Sequence, residues 1–297
     1  MVASGILLVD KPAGITSHDV VSRVRRALGT RKVGHAGTLD PMATGLLVIG
    51  VEGATRLLTY IVGAAKTYLA TIRLGSTTAT DDADGEIIDT ADRGTLEAVT
   101  SDRIAAGIGA LTGSISQVPS AVSAIKVDGR RAYDRVRAGE DVQLAAREVV
   151  VSRFDLLAER PDAGARDLDV IVDCSSGTYI RALARDLGAG LGVGGHLTAL
   201  RRTRVGDFDV RAAVGIENIS EAALLSPADA AIRVLPRIDV TADEARDLRH
   251  GKRLAGRAAA VPALPAAAID PDGALVGVLE RRGTDLKSAM NMPEEAR

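Results

Sequence analysis

Tryptophan is missing from this 297-residue chain, and aromatic residues make up only 2% of it. A core must therefore be filled by Val, Leu, Ile and Ala, which interdigitate to close-packed density without rings. Hydrophobic residues, at 46%, supply enough of them for a globular core. Cysteine is nearly absent. Cys174 stands alone, which excludes an internal disulfide and a cysteine-rich metal site and fits a reducing compartment. Long apolar runs are lacking too. No stretch approaches the roughly 20 residues of a membrane span. The opening residues have neither the basic flank nor the apolar length of a secretory signal. The expectation is a soluble, cytoplasmic protein with no membrane association.

A strong charge of one sign is also lacking. The net charge is −2 and the sequence pI is about 6.1, which counts against nucleic acid when taken globally. The distribution counts the other way. Eight acidic residues lie between Asp81 and Asp102, against Arg93 alone. Basic residues gather elsewhere: Arg23, Arg25, Arg26, Arg31 and Lys32; then Lys126, Arg130, Arg131, Arg135 and Arg137; then Arg181, Arg185, Arg201, Arg202 and Arg204. A polyanion responds to the local field, so one basic face on an acidic protein suffices. Charge alone favours an ordinary solvated surface.

Patterning predicts a buried strand at Gly5–Val9, then a helix capped by Thr16 or Ser17. Val20, Val21, Val24 and Leu28 form its apolar stripe and Gly29 its stop. Residues 30–45 read as an irregular loop. Further strands are expected at Leu46–Val51, Thr67–Leu74, Ala121–Val127, Arg147–Leu157, Leu168–Cys174 and Leu200–Val210. Helices are expected at Thr55–Val62, Leu96–Leu111, Arg131–Ala138, Thr178–Leu191 and Ala242–Arg249. Strands and helices mix without strict alternation, which points to an α+β fold around a mainly antiparallel sheet. Composition shifts near Leu235–Pro236. A hairpin around Asp270–Gly273 marks a small β-rich appendage, and Asn291–Arg297 reads as a disordered end.

The loop from Gly34 to Gly45 is the richest in chemistry. Its glycines free the backbone, and His35 and Asp40 are its only titratable groups. Pro41 biases Asp40 away from helical geometry. A carboxylate on a stiff loop suits a nucleophile or a general base. From the residues alone, a turn-capping Asp is the favoured reading. Asp82 and Asp84 before Gly85 lack the third ligand and distal Glu of a calcium loop, so a structural turn is expected there. Gly190–Gly195 fits a dinucleotide fingerprint in letters but follows a helix instead of a strand. Cys174 reads as a buried small hydrophobe.

Six segments then carry a resemblance. They are Asp10–Ser17 (DKPAGITS), Gly34–Gly45 (GHAGTLDPMATG), Arg73–Gly75 with Asp82–Gly85, Gln117–Pro119 with Ser123–Gly129, Ser175–Arg181 (SSGTYIR), and Gly194–Leu197 with Leu200–Arg202. In this order and spacing the chain resembles the TruB family of tRNA pseudouridine-55 synthases over about residues 5–210. The resemblance implies that Asp40 is the catalytic aspartate and that Tyr68 packs on the target base. It implies that Arg181 pairs with the catalytic aspartate and that Leu200 walls the base pocket. It further implies that His35 fills the space left by a flipped uridine and that Tyr179 lines the site. Lys11, with Pro12, belongs to a motif that supports the site. Residues 1–235 would form a catalytic domain with the pseudouridine-synthase fold. Residues 236–297 would form a PUA-like RNA-binding domain.

The implied reaction turns uridine into pseudouridine in the TΨC stem-loop of tRNA. It loses no atoms and changes no oxidation state, so no cofactor and no metal is expected. A stacked base must be flipped out before chemistry, at a cost of a few kcal/mol, and stacking on Tyr68 would return about 1–3 kcal/mol. No protein partner is implied, and a monomer is expected. Two other readings remain open at this point: a tRNA-binding folding chaperone, and a glycosidase-like hydrolase.

Overall fold

The computed structural model describes residues 2–120, 126–127, 130–131, 144–162, 164–261 and 263–293. Of the strand expected over Ala121–Val127, Lys126–Val127 is a strand and residues 121–125 lie outside the described residues; of the helix expected over Arg131–Ala138, Arg131 lies in a strand and residues 132–138 lie outside the described residues. By its contacts the chain forms two compact units, one from residues 1–64 and 204–297, the other from 65–203.

The first unit opens with β1 (Gly5–Lys11), α1 (Ser17–Leu28), β2 (Val33–His35) and β3 (Thr44–Val51), followed by a 3₁₀ turn over Glu52–Leu57 and α2 (Leu58–Val62). β1 pairs antiparallel with β3, Leu7 opposite Ile49. Apolar residues on both faces make it a strand covered on both sides. Leu7 and Val9 pack with Val20, Val21, Val24 and Leu28 of α1. Ile6 and Leu8 join a second core with Leu46, Val48 and Phe208. α1 begins where Thr16 accepts from the Asp19 N–H while the Asp19 side chain accepts from the Thr16 N–H. It ends at Gly29 with φ +65°. β2 departs from the expected irregular loop. Its three residues pair with Val51–Ile49 of β3, a contact too short to leave a period in the sequence.

The second unit runs β4 (Lys66–Leu74), β5 (Ser76–Thr78), β6 (Ile87–Thr90), α3 (Arg93–Glu97), α4 (Ser101–Ala110), β7 (Gly113–Gln117), β8 (Lys126–Val127), β9 (Arg130–Arg131), β10 (Arg147–Asp162), β11 (Ala165–Cys174), α5 (Ile180–Leu191) and β12 (Gly195–Val205). The strand order is β12-β4-β11-β10-β7. β4 and β11 run antiparallel, with Tyr68 opposite Val172 and Arg73 opposite Asp167. That last pair is bridged by two hydrogen bonds of 2.7 and 2.8 Å. The single helix expected over Leu96–Leu111 is two. Thr100 accepts from the Arg103 N–H and starts α4 afresh, because a threonine hydroxyl satisfies an open helix N-terminus better than it fits a helix interior.

The chain returns to the first unit through β13 (Phe208–Asp209), β14 (Val214–Gly215), β15 (Leu224–Leu225), α6 (Pro227–Ala231), β16 (Arg237–Asp239), α7 (Ala242–Arg249), β17 (Ala266–Ile269), β18 (Leu275–Arg282) and β19 (Asp285–Asn291). β14 lies parallel to β1, the exception among the antiparallel partners of that strand. β16–β19 form a separate four-stranded sheet, whose core is Val240, Leu248, Ala268, Val276, Leu279 and Leu286. Of the end expected to be disordered, residues 291–293 are ordered and residues 294–297 lie outside the described residues. Asn291 closes β19, and Met292 is buried against the core. The fold is therefore α+β, mainly antiparallel, with a small β-rich C-terminal sheet. No helix among the described residues is long and apolar enough to cross a membrane.

Candidate active site

Asp40 sits in the loop between β2 and β3, half-buried. Its carbonyl accepts from the Ala43 N–H at 3.1 Å, closing a turn over residues 40–43. Both neighbours of Asp40 are anchored. On one side the Ser17 hydroxyl donates to the Leu39 carbonyl at 3.0 Å and accepts from the Leu39 N–H at 2.8 Å. On the other, the Pro41 carbonyl accepts from the Gly14 N–H at 2.8 Å and from Lys11 Nζ at 3.2 Å. Lys11 is fully buried, and its ammonium also donates to the carbonyls of Pro12 and Ile15. Three carbonyls match the three donors of an ammonium, so Lys11 ties the β1–α1 turn to the Asp40 loop. Gly37 and Gly45 adopt φ of +91° and +99°, which the loop requires and which a side chain at those positions would strain. His35 ends β2, opposite Ile49, half-buried.

Tyr68, Tyr179, Arg181 and Leu200 belong to the second unit. Tyr68 and Leu200 are buried on β4 and β12, neighbouring strands of one sheet. Tyr179 is the residue before α5. The Gln117 side chain holds both of its backbone groups, accepting from its N–H at 2.8 Å and donating to its carbonyl at 3.1 Å. The Arg147 guanidinium lies 5.4 Å from the centre of the Tyr179 ring. Arg181 follows in the first turn of α5. Helical periodicity groups it with Arg185 on a polar face, yet its side chain is only 4% exposed. It lies 3.4 Å from the Asp82 carboxylate and donates to the Thr80 carbonyl at 2.8 Å. Asp82 in turn accepts from the Thr80 hydroxyl and the Asp84 N–H. The acidic turn thus orients an arginine. Asp81 beside it takes φ +59°, a left-handed conformation that Asp tolerates better than most residues. Among the described residues no group of three or more His, Cys, Asp or Glu side chains is arranged to hold a metal.

Two expectations about basic residues change. Arg185 pairs with Asp81 and Asp186, at 3.2 and 2.8 Å. Arg202, grouped in the sequence with arginines suited to phosphate, is 1% exposed. It lies close enough to Lys66 that burial, reinforced by this second cation, pulls the Lys66 ammonium down to about 8. The side chains of Arg130 and Arg131 lie outside what the structure describes. Cys174 is buried, as its strand position implied, and burial pushes its thiol up to about 11. Sequence reasoning placed Ser17 and Gln117 in motifs without finding what they hold, and passed over Thr80. Each acts through backbone groups far along the chain, and a hydroxyl or amide carries no periodic signal of such a partner.

The TruB family model for the N-terminal domain of pseudouridylate synthases matches residues 25–180. The models for the tRNA pseudouridine synthase II C-terminal domain and the tRNA pseudouridylate synthase B C-terminal domain match residues 235–293 and 181–238. The chain is 61% identical over 297 residues to the tRNA pseudouridine synthase B of Leifsonia xyli subsp. xyli, covering 99% of this chain and 98% of that one. It is 58% identical to the tRNA pseudouridine synthase B of Arthrobacter sp., covering 94% of each. A chain of a solved Cbf5-Nop10-Gar1 complex superposes with a TM-score of 0.68 at 25% identity, covering 97% of this chain and 79% of that one. The chain belongs to the TruB family of pseudouridylate synthases.

Proposed function

We propose that this protein isomerises uridine 55 in the TΨC loop of transfer RNA to pseudouridine, with Asp40 as the catalytic carboxylate. In the net reaction the N1–C1′ glycosidic bond breaks, the uracil turns, and C5 bonds to C1′. The C5 proton is lost and N1 gains one, so atoms and electrons balance. A carboxylate aimed at the extruded nucleotide can stabilise charge developing at C1′ or attack a sugar or base carbon. Tyr68 stacks on the flipped base, Leu200 walls it, Tyr179 lines the site, and His35 takes the place the base leaves in the RNA. Arg181 pairs with the catalytic carboxylate of Asp40 and aims it by charge-assisted hydrogen bonding. Residues 236–297 serve as a PUA-like RNA-binding module beside a catalytic domain of residues 1–235, in a monomer.

The observation that carries this reading is the anchoring of both neighbours of Asp40 by the buried side chains of Ser17 and Lys11. A solvated turn carboxylate does not need such support. The names of the relatives point to transfer RNA as the substrate. The test is incubation with unmodified tRNA followed by mapping of pseudouridine along the chain. The expected result is product at position 55 with the wild type. With Asp40→Asn, no product is expected, while tRNA affinity stays within about threefold, since a neutral isostere preserves shape but not charge. Product persisting in Asp40→Asn removes the assignment. Product at another position removes the site.

A further inference from the structure

We infer that Ser17 is a positioning residue for the reaction, setting the aim of Asp40 through the backbone of Leu39. This inference rests on the proposed role of Asp40. Ser17 is the first residue of α1 and is 2% exposed. Its hydroxyl uses both its donor and its acceptor on one residue, 22 positions away: the Leu39 carbonyl at 3.0 Å and the Leu39 N–H at 2.8 Å. Leu39 immediately precedes Asp40.

Such a pair of bonds fixes orientation as well as distance. A single bond would leave the Leu39 peptide free to swing about it, whereas two bonds to opposite ends of one residue remove that freedom. The anchor itself is rigid. The reciprocal caps of Thr16 and Asp19 set the start of α1. Val20, Val21, Val24 and Leu28 hold the helix against β1 and β3. Lys11 and Gly14 fix Pro41 on the far side. The two glycines at positive φ, Gly37 and Gly45, flank this short anchored span. Asp40 is thus held from both sides within a loop whose glycines would otherwise let it wander. The Ser17 side chain has no need to reach the substrate. It acts on the carboxylate by fixing the backbone that carries it, and a shift of about 1 Å in a catalytic group can cost on the order of 100-fold in rate.

The experiment compares wild type, Ser17→Ala, Ser17→Cys, Val24→Ala and Asp40→Asn. Each is assayed for single-turnover pseudouridine formation with saturating enzyme and unmodified tRNA, for tRNA affinity, and for thermal midpoint. Ser17→Ala is expected to slow formation about 10- to 100-fold while tRNA affinity stays within about twofold. Ser17→Cys, which retains volume and a weak donor, is expected to fall between the two. Val24→Ala loosens the same helix without touching residue 39 and is expected to retain at least about half the wild-type rate. The inference is overturned if Ser17→Ala turns over within twofold of wild type. It is overturned equally if Val24→Ala slows the reaction as much at the same loss of thermal midpoint. Should Ser17→Ala not melt cooperatively, Ser17→Cys decides: a rate within twofold of wild type defeats the inference. Full activity in Asp40→Asn defeats the catalytic reading instead, so the two failures are distinguishable.

Discussion

Burial of like charge sets the character of several residues here. Lys66 opens β4 two positions before Tyr68, on the same buried face, and Arg202 shares its surroundings. Removal from water disfavours its ammonium, and the neighbouring guanidinium disfavours it further, so the group titrates near 8 instead of its usual 10.5. The unfolded chain holds that proton up to about its ordinary value, while the folded chain releases it near 8. Between the two values the unfolded state binds more protons, so this residue's contribution to stability rises with pH. Below pH 8 both states are protonated and its penalty is constant. Urea denaturation from pH 7 to pH 10 is therefore expected to show wild type gaining stability relative to Lys66→Met above pH 8, with no relative change below it. Arg181 is handled differently. It too is buried, but Asp82 and the Thr80 carbonyl face it. Breaking a buried pair of this kind by removing one partner typically costs about 3–5 kcal/mol.

At the scale of elements, the turn between α5 and β12 shows what its run of glycines does. Residues Gly190–Gly195 match a dinucleotide fingerprint in letters alone, and in the fold Gly188, Gly194 and Gly195 let a helix meet a turn backbone to backbone. A Cβ at Gly188 would lie 2.2 Å from the Gly194 carbonyl carbon and from the Gly195 nitrogen. The Gly188 carbonyl accepts from the N–H groups of Val193 and Gly194, both at 3.1 Å, so the turn cannot retreat without losing those bonds. Gly188→Ala is expected to destabilise the protein by about 3 kcal/mol or more. Gly190→Ala, two residues along and with open space around its Cβ position, is expected to be neutral or to gain up to about 1 kcal/mol from helix propensity. Urea denaturation of the two variants checks both. The same packing fixes the start of β12, the strand that carries Leu200.

For the molecule as a whole, net charge and function pull in opposite directions. A protein of net charge −2 that binds a polyanion must do so through local basic surface, as the exposed Arg23, Arg26, Arg31 and Lys32 illustrate. Contacts to phosphates release counterions, so the logarithm of tRNA affinity is expected to fall linearly with the logarithm of salt concentration. About four phosphate contacts would give a slope of roughly −3 to −4. Filter-binding titrations from 50 to 300 mM salt measure it, and a flat response would remove the basic surface from the account. With Arg202 buried and Arg185 paired to carboxylates, neither is expected to change the slope when mutated.

Much of the local architecture is written in short-range patterns of residues. The start and stop of α1, the strands flanking the Asp40 loop, α7 and the final hairpin are set by interactions within a few residues, and caps, glycine stops and apolar periods record such interactions directly. Ordered motifs also made the family legible. What depended on the tertiary structure was everything decided by partners distant along the chain. The three-residue β2 exists only because β3 lies beside it. The surface arginine that periodicity assigned at 181 is buried because an acidic turn 99 residues earlier meets it. Arg202 is enclosed though its neighbours in sequence are polar. Ser17 holds Leu39, and Gln117 holds Tyr179, through hydroxyl and amide groups whose partners are backbone atoms that every residue shares. Backbone donors and acceptors look identical in a sequence. Only the path of the chain decides which of them a given side chain reaches.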